Sequence, residues 1–227
     1  HPHLIPTVSY SGGKDSLATL LIVMKAIGKI PVIFADSGFE FPETYENIRQ
    51  VQDRYGVEVV TADNGGTFWK VFQEQGPPAM NARWCCSVCK LHPVNETIRE
   101  VWGECLSFIG QRRYESFRRM TSAKIWRNPK VPCQLASAPI QQWTALHVWL
   151  YLLREEAPYN LLYEKGFDRV GCYICPSSDL ATMKMIEEMS PDLWSTWVNR
   201  LREWGRNNGH SETWVASGGW RRRGGSG

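Results

Sequence analysis

Three groups of side chains in this 227-residue sequence could do chemistry. The first is Ser11-Gly12-Gly13-Lys14-Asp15-Ser16. Its glycines let backbone N–H groups approach an anion that no Cβ shields, while the serine hydroxyls and Lys14 can complete a cradle for phosphate oxygens. Asp15 could hold Mg2+ against a triphosphate. The spacing is not the GxxxxGK[ST] of P-loop ATPases, and a tight strand-to-helix turn capped by Asp or Ser is the plainer alternative. The second group is sulfur: Cys85, Cys86 and Cys89, then Cys172-x-x-Cys175, together five of the seven cysteines. Such grouping in a reducing compartment points to metal rather than disulfides. Spacing alone favours Cys86, Cys89, Cys172 and Cys175 around a structural zinc. Arg83 and Lys90 flank the first set and could offset the thiolate charge. The isolated Cys105 and Cys133 read as small buried hydrophobes. The third group is Gly110-Gln111-Arg112-Arg113-Tyr114-Glu115-Ser116-Phe117-Arg118-Arg119, whose planar guanidinium forks suit phosphate or sulfate, against the default of a solvated charge run.

Positioning these groups requires a regular scaffold, and the hydrophobic pattern predicts one. Apolar runs at 7–10, 31–35, 57–61 and 106–109 read as strands. Leu17, Leu20, Leu21, Val23, Met24 and Ile27 recur at helical spacing, and a second helix runs from Pro42 to Tyr55, with Pro at its start and Gly56 at its stop. Strands alternating with helices imply a parallel sheet covered on both faces, whose ligands bind beyond the carboxyl ends of the strands. The turns after Tyr10, Ala35 and Ile109 should therefore meet in one crevice. Past residue 140 the pattern becomes helical, at 143–154, 180–189 and 191–207. The expected organisation is a nucleotide-binding α/β domain at 1–140, a helical lobe carrying Cys172 and Cys175 at 141–217, and a flexible basic tail or linker at 218–227, where Trp220 and Arg221-Arg222-Arg223 could touch a nucleic acid.

With 43% hydrophobic and 22% charged residues, the chain can bury a core without disulfides, which excludes wholesale disorder. A net charge of +3 is too small to argue for nucleic acid by itself. Most of the eleven tryptophans read as core. No apolar run approaches the ~20 residues that cross a bilayer and no signal peptide opens the chain, so it reads as cytoplasmic with no membrane partner. Both ends look cut from something longer.

The hexapeptide SGGKDS resembles the pyrophosphate loop of the PP-loop ATP pyrophosphatases, whose members adenylate a substrate and release pyrophosphate. Within that superfamily the chain is similar to the phosphoadenosine phosphosulfate reductase branch. Supporting stretches are 34–44 (FADSGFEFPET), Arg83-Trp84-Cys85-Cys86 with Lys90 and Pro93, 110–116, Ala138-Pro139-Ile140 with Trp143 and Trp149, and Gly171-Cys172-Tyr173-Ile174-Cys175-Pro176. The resemblance implies an adenine nucleotide α-hydrolase-like fold: a five-stranded parallel sheet with helices on both faces, and a small helical C-terminal lobe tied on by a metal cluster. It places Asp36, Ser37 and Gly38 by the adenine or ribose, although Asp36 could equally cap its own loop. It puts Gly110, Arg112, Glu115 and Ser116 in the nucleotide motif, with Arg118 or Arg119 reaching an anion. It favours Cys85, Cys86, Cys172 and Cys175 as ligands of a 4Fe-4S cluster over Zn2+. Cys89, standing where the pattern has Arg, becomes a spare thiol, an alternative ligand or a sulfur carrier.

Two departures bear on the reaction that the resemblance implies. A sulfonucleotide reductase attacks its substrate with a cysteine on a C-terminal tail, and no cysteine follows Cys175 here. Reductases also lack the Lys-Asp part of the loop. Both features favour an ATP-dependent sulfurtransferase-like enzyme, in which ATP with Mg2+ adenylates a substrate, Lys14, Asp15 and Arg112 serve the α-phosphate chemistry, and sulfur from a donor protein or sulfide displaces AMP. The acceptor would be tRNA or DNA. A reductase of adenylyl sulfate or its 3′-phosphate is the alternative, with Cys89 as one source of the nucleophile. A non-catalytic nucleotide- or metal-binding module is a third.

Overall fold

In the computed structural model of this chain residues 3–222 are described, the Arg118 side chain excepted. Strand β1 (Ile5–Ser9) leads through the glycine turn into helix α1 (Lys14–Ile27), and β2 (Val32–Asp36) leads into α2 (Pro42–Tyr55). Gly56 ends α2 in the left-handed region, φ 59°, with its N–H on the Gln52 carbonyl. Only a residue without a Cβ makes that stop cheaply. Then come β3 (Val59–Asp63), α3 (Thr67–Gln75), the short α4 (Trp84–Cys86), a π-helical turn (Ser87–Leu91), α5 (His92–Val101) and β4 (Cys105–Ile109). After α6 (Phe117–Met120) the hairpin β5 (Ile125–Asn128) and β6 (Val131–Ser137) closes the sheet, followed by α7 (Ala145–Arg154), α8 (Leu180–Met189), α9 (Pro191–Asn207) and α10 (Glu212–Ala216).

The sheet order is β3-β2-β1-β4-β6-β5. This corrects the five-stranded expectation: β1 to β4 and β6 are the five parallel strands, and β5 is a sixth, antiparallel to β6 at the edge. Nothing in Ile125-Trp126-Arg127-Asn128 marks a core strand, because its residues alternate between exposed and half-buried and its ladder slips at Arg127/Asn128. On one face α1, α2 and α7 pack Leu17, Leu20, Val51, Val148 and Leu152 against Val8, Val32 and Phe34. On the other, α5 sets Val94 and Ile98 on Ile33, Ala62 and Val131. Strands covered on both faces are apolar on both, which is why they read as runs rather than alternations.

Helices α8 to α10 join through a third core of aromatic rings. Trp197 is 1% exposed and its ring lies 5.6 Å from Phe72 of α3 and 5.3 Å from Trp220. The attachment seen is this apolar packing, worth about 3–5 kcal/mol for the Trp197 ring alone. Among the described residues no three His, Cys, Asp or Glu side chains are disposed to hold a metal ion. Of the tail expected from 218, Gly219–Arg221 forms a 3-10 turn with Trp220 buried, and 223–227 lie outside the described residues. No helix among the described residues is long and apolar enough to cross a membrane.

Candidate functional site

Strand β1 is central in the sheet, so its carboxyl end delivers the Ser11–Ser16 turn to the middle of the crevice. Gly12 takes φ 73°, and a Cβ there would fall 2.7 Å from the Thr44 methyl. Gly13 is the N-cap of α1, with no side chain capping the helix. The Ser16 hydroxyl folds back, donating to the Gly13 carbonyl at 2.8 Å and accepting from the Ser11 N–H at 3.2 Å. Gly110 acts by close approach: a Cβ on it would meet the Asp15 carbonyl carbon at 2.5 Å and the Ser16 nitrogen at 2.6 Å. The β4 end and the start of α1 can touch only because this residue is bare.

Charge on this turn is organised through Asp15. Its carboxylate accepts from Arg112 Nε at 2.6 Å and lies 3.5 Å from Lys14 Nζ, with Lys14 and Arg112 both almost fully buried. One carboxylate between two cations leaves a net positive charge at the helix N-terminus, where the macrodipole adds to it. Glu115 pairs with Arg119 at 2.5 Å and also accepts the Arg112 backbone N–H at 2.8 Å. A cleft of about 330 Å3 is lined by Ser11, Gly13, Lys14, Asp15, Ser16, Gly110, Glu115 and Arg119, together with Tyr163, Arg169, Glu40 and Lys90. Arg112 faces the adjoining cleft beside Lys14.

The remaining expected contacts fall elsewhere. Asp36 accepts from the Gly38 N–H and the Tyr45 hydroxyl, both at 2.8 Å, which is the loop-capping alternative; burial and then this bond push the Tyr45 phenol up. Ser37 is buried, donates to Glu40 at 2.9 Å and lies 3.2 Å from Cys172 Sγ. Neither Asp36, Ser37 nor Gly38 lines the cleft. Ser116 caps α6, accepting the Arg119 N–H at 3.3 Å.

Cys85, Cys86, Cys89, Cys172 and Cys175 do converge, around one small apolar cavity that Ser37, Arg83 and Lys90 also line. Cys85 donates to Cys86, which pushes Cys85 up and draws Cys86 down to about 6, helped by Arg83, Lys90 and Lys130. Burial pushes Cys172 up to about 11 against the pull of the Lys90 ammonium, itself held 2.7 Å from Glu40. Cys89 is 1% exposed, and burial pushes its thiol up to about 12. As disposed, the five side chains line one cavity without being grouped to hold a single metal ion.

Tyr163 and Arg169 escape a reading of sequence. Tyr163 lies 149 residues from Lys14 in a stretch, Tyr159-Asn160-Leu161-Leu162-Tyr163, that looks like ordinary core. Its hydroxyl nevertheless accepts the Lys14 backbone N–H at 2.9 Å. Burial raises the phenol to about 12, although the Lys14 and Val170 backbones pull the other way.

An anion-cradling glycine turn at the carboxyl end of the central strand of a doubly covered parallel sheet defines a nucleotide-binding α/β protein of the PP-loop type. Residues 5–178 match the phosphoadenosine phosphosulfate reductase domain family. The chain belongs to that family, within the PP-loop ATP pyrophosphatase and adenine-nucleotide hydrolase superfamily. It is 47% identical over 216 residues to the uncharacterized protein MJ0066 of Methanocaldococcus jannaschii, covering 94% of this chain and 45% of that one. It is 27% identical over 177 residues to the adenosine 5'-phosphosulfate reductase of Lysinibacillus sphaericus, covering 73% of this chain and 70% of that one. The chain spans about half the length of that protein and of another from the same organism, the uncharacterized protein MJ0973, to which it is 35% identical over 213 residues. In fold it is similar to the phosphoadenylyl-sulfate reductase of Candida auris, solved as a phosphate complex, with a TM-score of 0.59 at 20% identity over 77% of this chain and 83% of that one.

Proposed function

We propose that this chain binds an adenylyl nucleotide at the Ser11–Ser16 turn and acts at the bond joining its α-phosphate to a second tetrahedral oxyanion. The observation that carries this is Asp15 holding Lys14 and Arg112 together at the helix N-terminus, which leaves a net positive charge beside the cleft. Relatives named adenosine 5'-phosphosulfate reductase favour adenylyl sulfate as the substrate, with sulfur reduced to sulfite, thiols supplying the two electrons and AMP leaving. They weigh against the preference for adenylation drawn from the loop. The absence of a cysteine beyond Cys175 has no bearing in a chain that spans about half of its two Methanocaldococcus jannaschii relatives.

Adenylation by ATP with loss of pyrophosphate is the second reading. It is favoured by the presence of both Lys14 and Asp15 at the turn, since a carboxylate there suits Mg2+ beside a triphosphate. Sulfur transfer to tRNA or DNA would follow from it, and rests on the sequence alone. No step in either reading is routed through a 4Fe-4S cluster. Sulfite release from labelled adenylyl sulfate with a dithiol reductant, without ATP/pyrophosphate exchange, is the expected result. Exchange without sulfite selects the second reading. In either assay Lys14→Ala should lower substrate affinity by about 1.5–3 kcal/mol, the worth of one charge-assisted contact; unaltered affinity overturns the assignment of the turn.

A further inference from the structure

Tyr163 brings to the nucleotide cleft a hydrogen-bond donor that the reading above leaves unused. Its oxygen takes the Lys14 N–H, one of the free donors at the start of α1 that an incoming anion would otherwise share. The ring is held by Trp149 edge-on at 5.0 Å and by Lys14 Nζ 5.0 Å from its centroid. With ring and oxygen fixed, only the phenolic hydrogen can turn, and among the described residues it meets no acceptor. The hydroxyl belongs to a residue lining both the nucleotide cleft and its neighbour. Burial keeps the phenol protonated at neutral pH, so it acts as a donor rather than a base.

Arg169 lines the same two clefts and the third that runs on to Cys172 and Cys175. Of the cations facing the nucleotide cleft, Lys14 is paired with Asp15, Lys90 with Glu40 and Arg119 with Glu115. Arg169 has no carboxylate partner among the described residues, and its charge reaches the Tyr163 hydroxyl. A planar guanidinium lining the same two clefts as a neutral O–H donor suits a tetrahedral oxyanion, which offers oxygens to both.

We infer that Tyr163 and Arg169 form a two-residue clamp on the oxyanion joined to the α-phosphate, either the sulfate of adenylyl sulfate or the β-phosphate of ATP. The clamp distinguishes nucleotides that carry this group from AMP, which lacks it. This inference rests on the proposed nucleotide site and adds the residues that select its ligand.

Calorimetric titration of the wild-type chain, Tyr163→Phe and Arg169→Gln with adenylyl sulfate, ATP and AMP tests it. Each substitution should weaken adenylyl sulfate or ATP about tenfold while AMP stays within twofold, and the nucleotide that loses affinity identifies the source of the oxyanion. Retained AMP binding also reports an intact fold, and Arg169 is exposed, so its loss spares the core. Equal weakening of AMP, or no change for either larger nucleotide in both variants, overturns the clamp and leaves the site standing. A wild-type chain that binds none of the three overturns the site as well.

Discussion

The glycine turn and the cysteine pocket are both assembled from distant segments, yet they are built on different physics. At the turn, Asp15 and Arg112 are 97 residues apart and meet at 2.6 Å, so a buried ion pair fixes the geometry before any ligand arrives. In the pocket the sulfurs are brought together by the aromatic core around Phe68, Trp84 and Trp197, while their hydrogen bonds go to each other, to Ser37 and to Glu40. One region is organised by charge and stands ready for an anion. The other is gathered by packing.

Removing the packing should cost the most. Trp197→Ala is expected to lose about 3–5 kcal/mol of stability in urea denaturation while the nucleotide affinity of the folded fraction is kept. A parallel loss of affinity would make the two regions one cooperative unit. Next comes Asp15→Ala, which leaves the buried Arg112 and Lys14 without their carboxylate and should cost about 3 kcal/mol. Arg112→Ala added to it should recover part of that loss; simple additivity in the double-mutant cycle would remove the ion pair as organiser.

Gly110→Ala is expected to cost about 1–3 kcal/mol, because the new methyl would press on the Asp15 backbone at 2.5 Å. In a chain of this size that lowers Tm by roughly 2–4 °C per kcal/mol, and nucleotide affinity should fall with it as the helix start shifts. An unchanged Tm would mean that β4 and α1 can part freely. The smallest effect is reserved for Cys172→Ser: adenylyl sulfate or ATP affinity within twofold of wild type, since Cys172 does not line the nucleotide cleft. A tenfold loss in titration would join the two regions that the structure separates.

Local patterns made much of this legible. Apolar runs at 7–10, 31–35, 57–61 and 106–109 became β1 to β4 with shifts of a residue or two, and the predicted helix Pro42–Tyr55 has those bounds. The glycine turn was readable because bare residues between a strand and a helix have few other uses. The β5–β6 hairpin was not, because Gln134 and the half-exposed Ile125-Trp126-Arg127-Asn128 break the apolar pattern. The cysteines were legible as a group, since all five line one cavity, although spacing fixes neither rotamer nor hydrogen-bond partner.

Residue types and local periodicity by themselves determined the parallel strands and the glycine turn at the head of α1, since each depends on neighbours within one or two turns of backbone, while the family showed in motifs spread along the chain. Only the tertiary structure decided that Arg112 neutralises Asp15, that Gly110 closely approaches the start of α1, and that Tyr163 sits on the Lys14 N–H from 149 residues away. Those partnerships arise where loops from separate strands end at the same edge of the sheet. No pattern within a single segment records which loop will arrive opposite it.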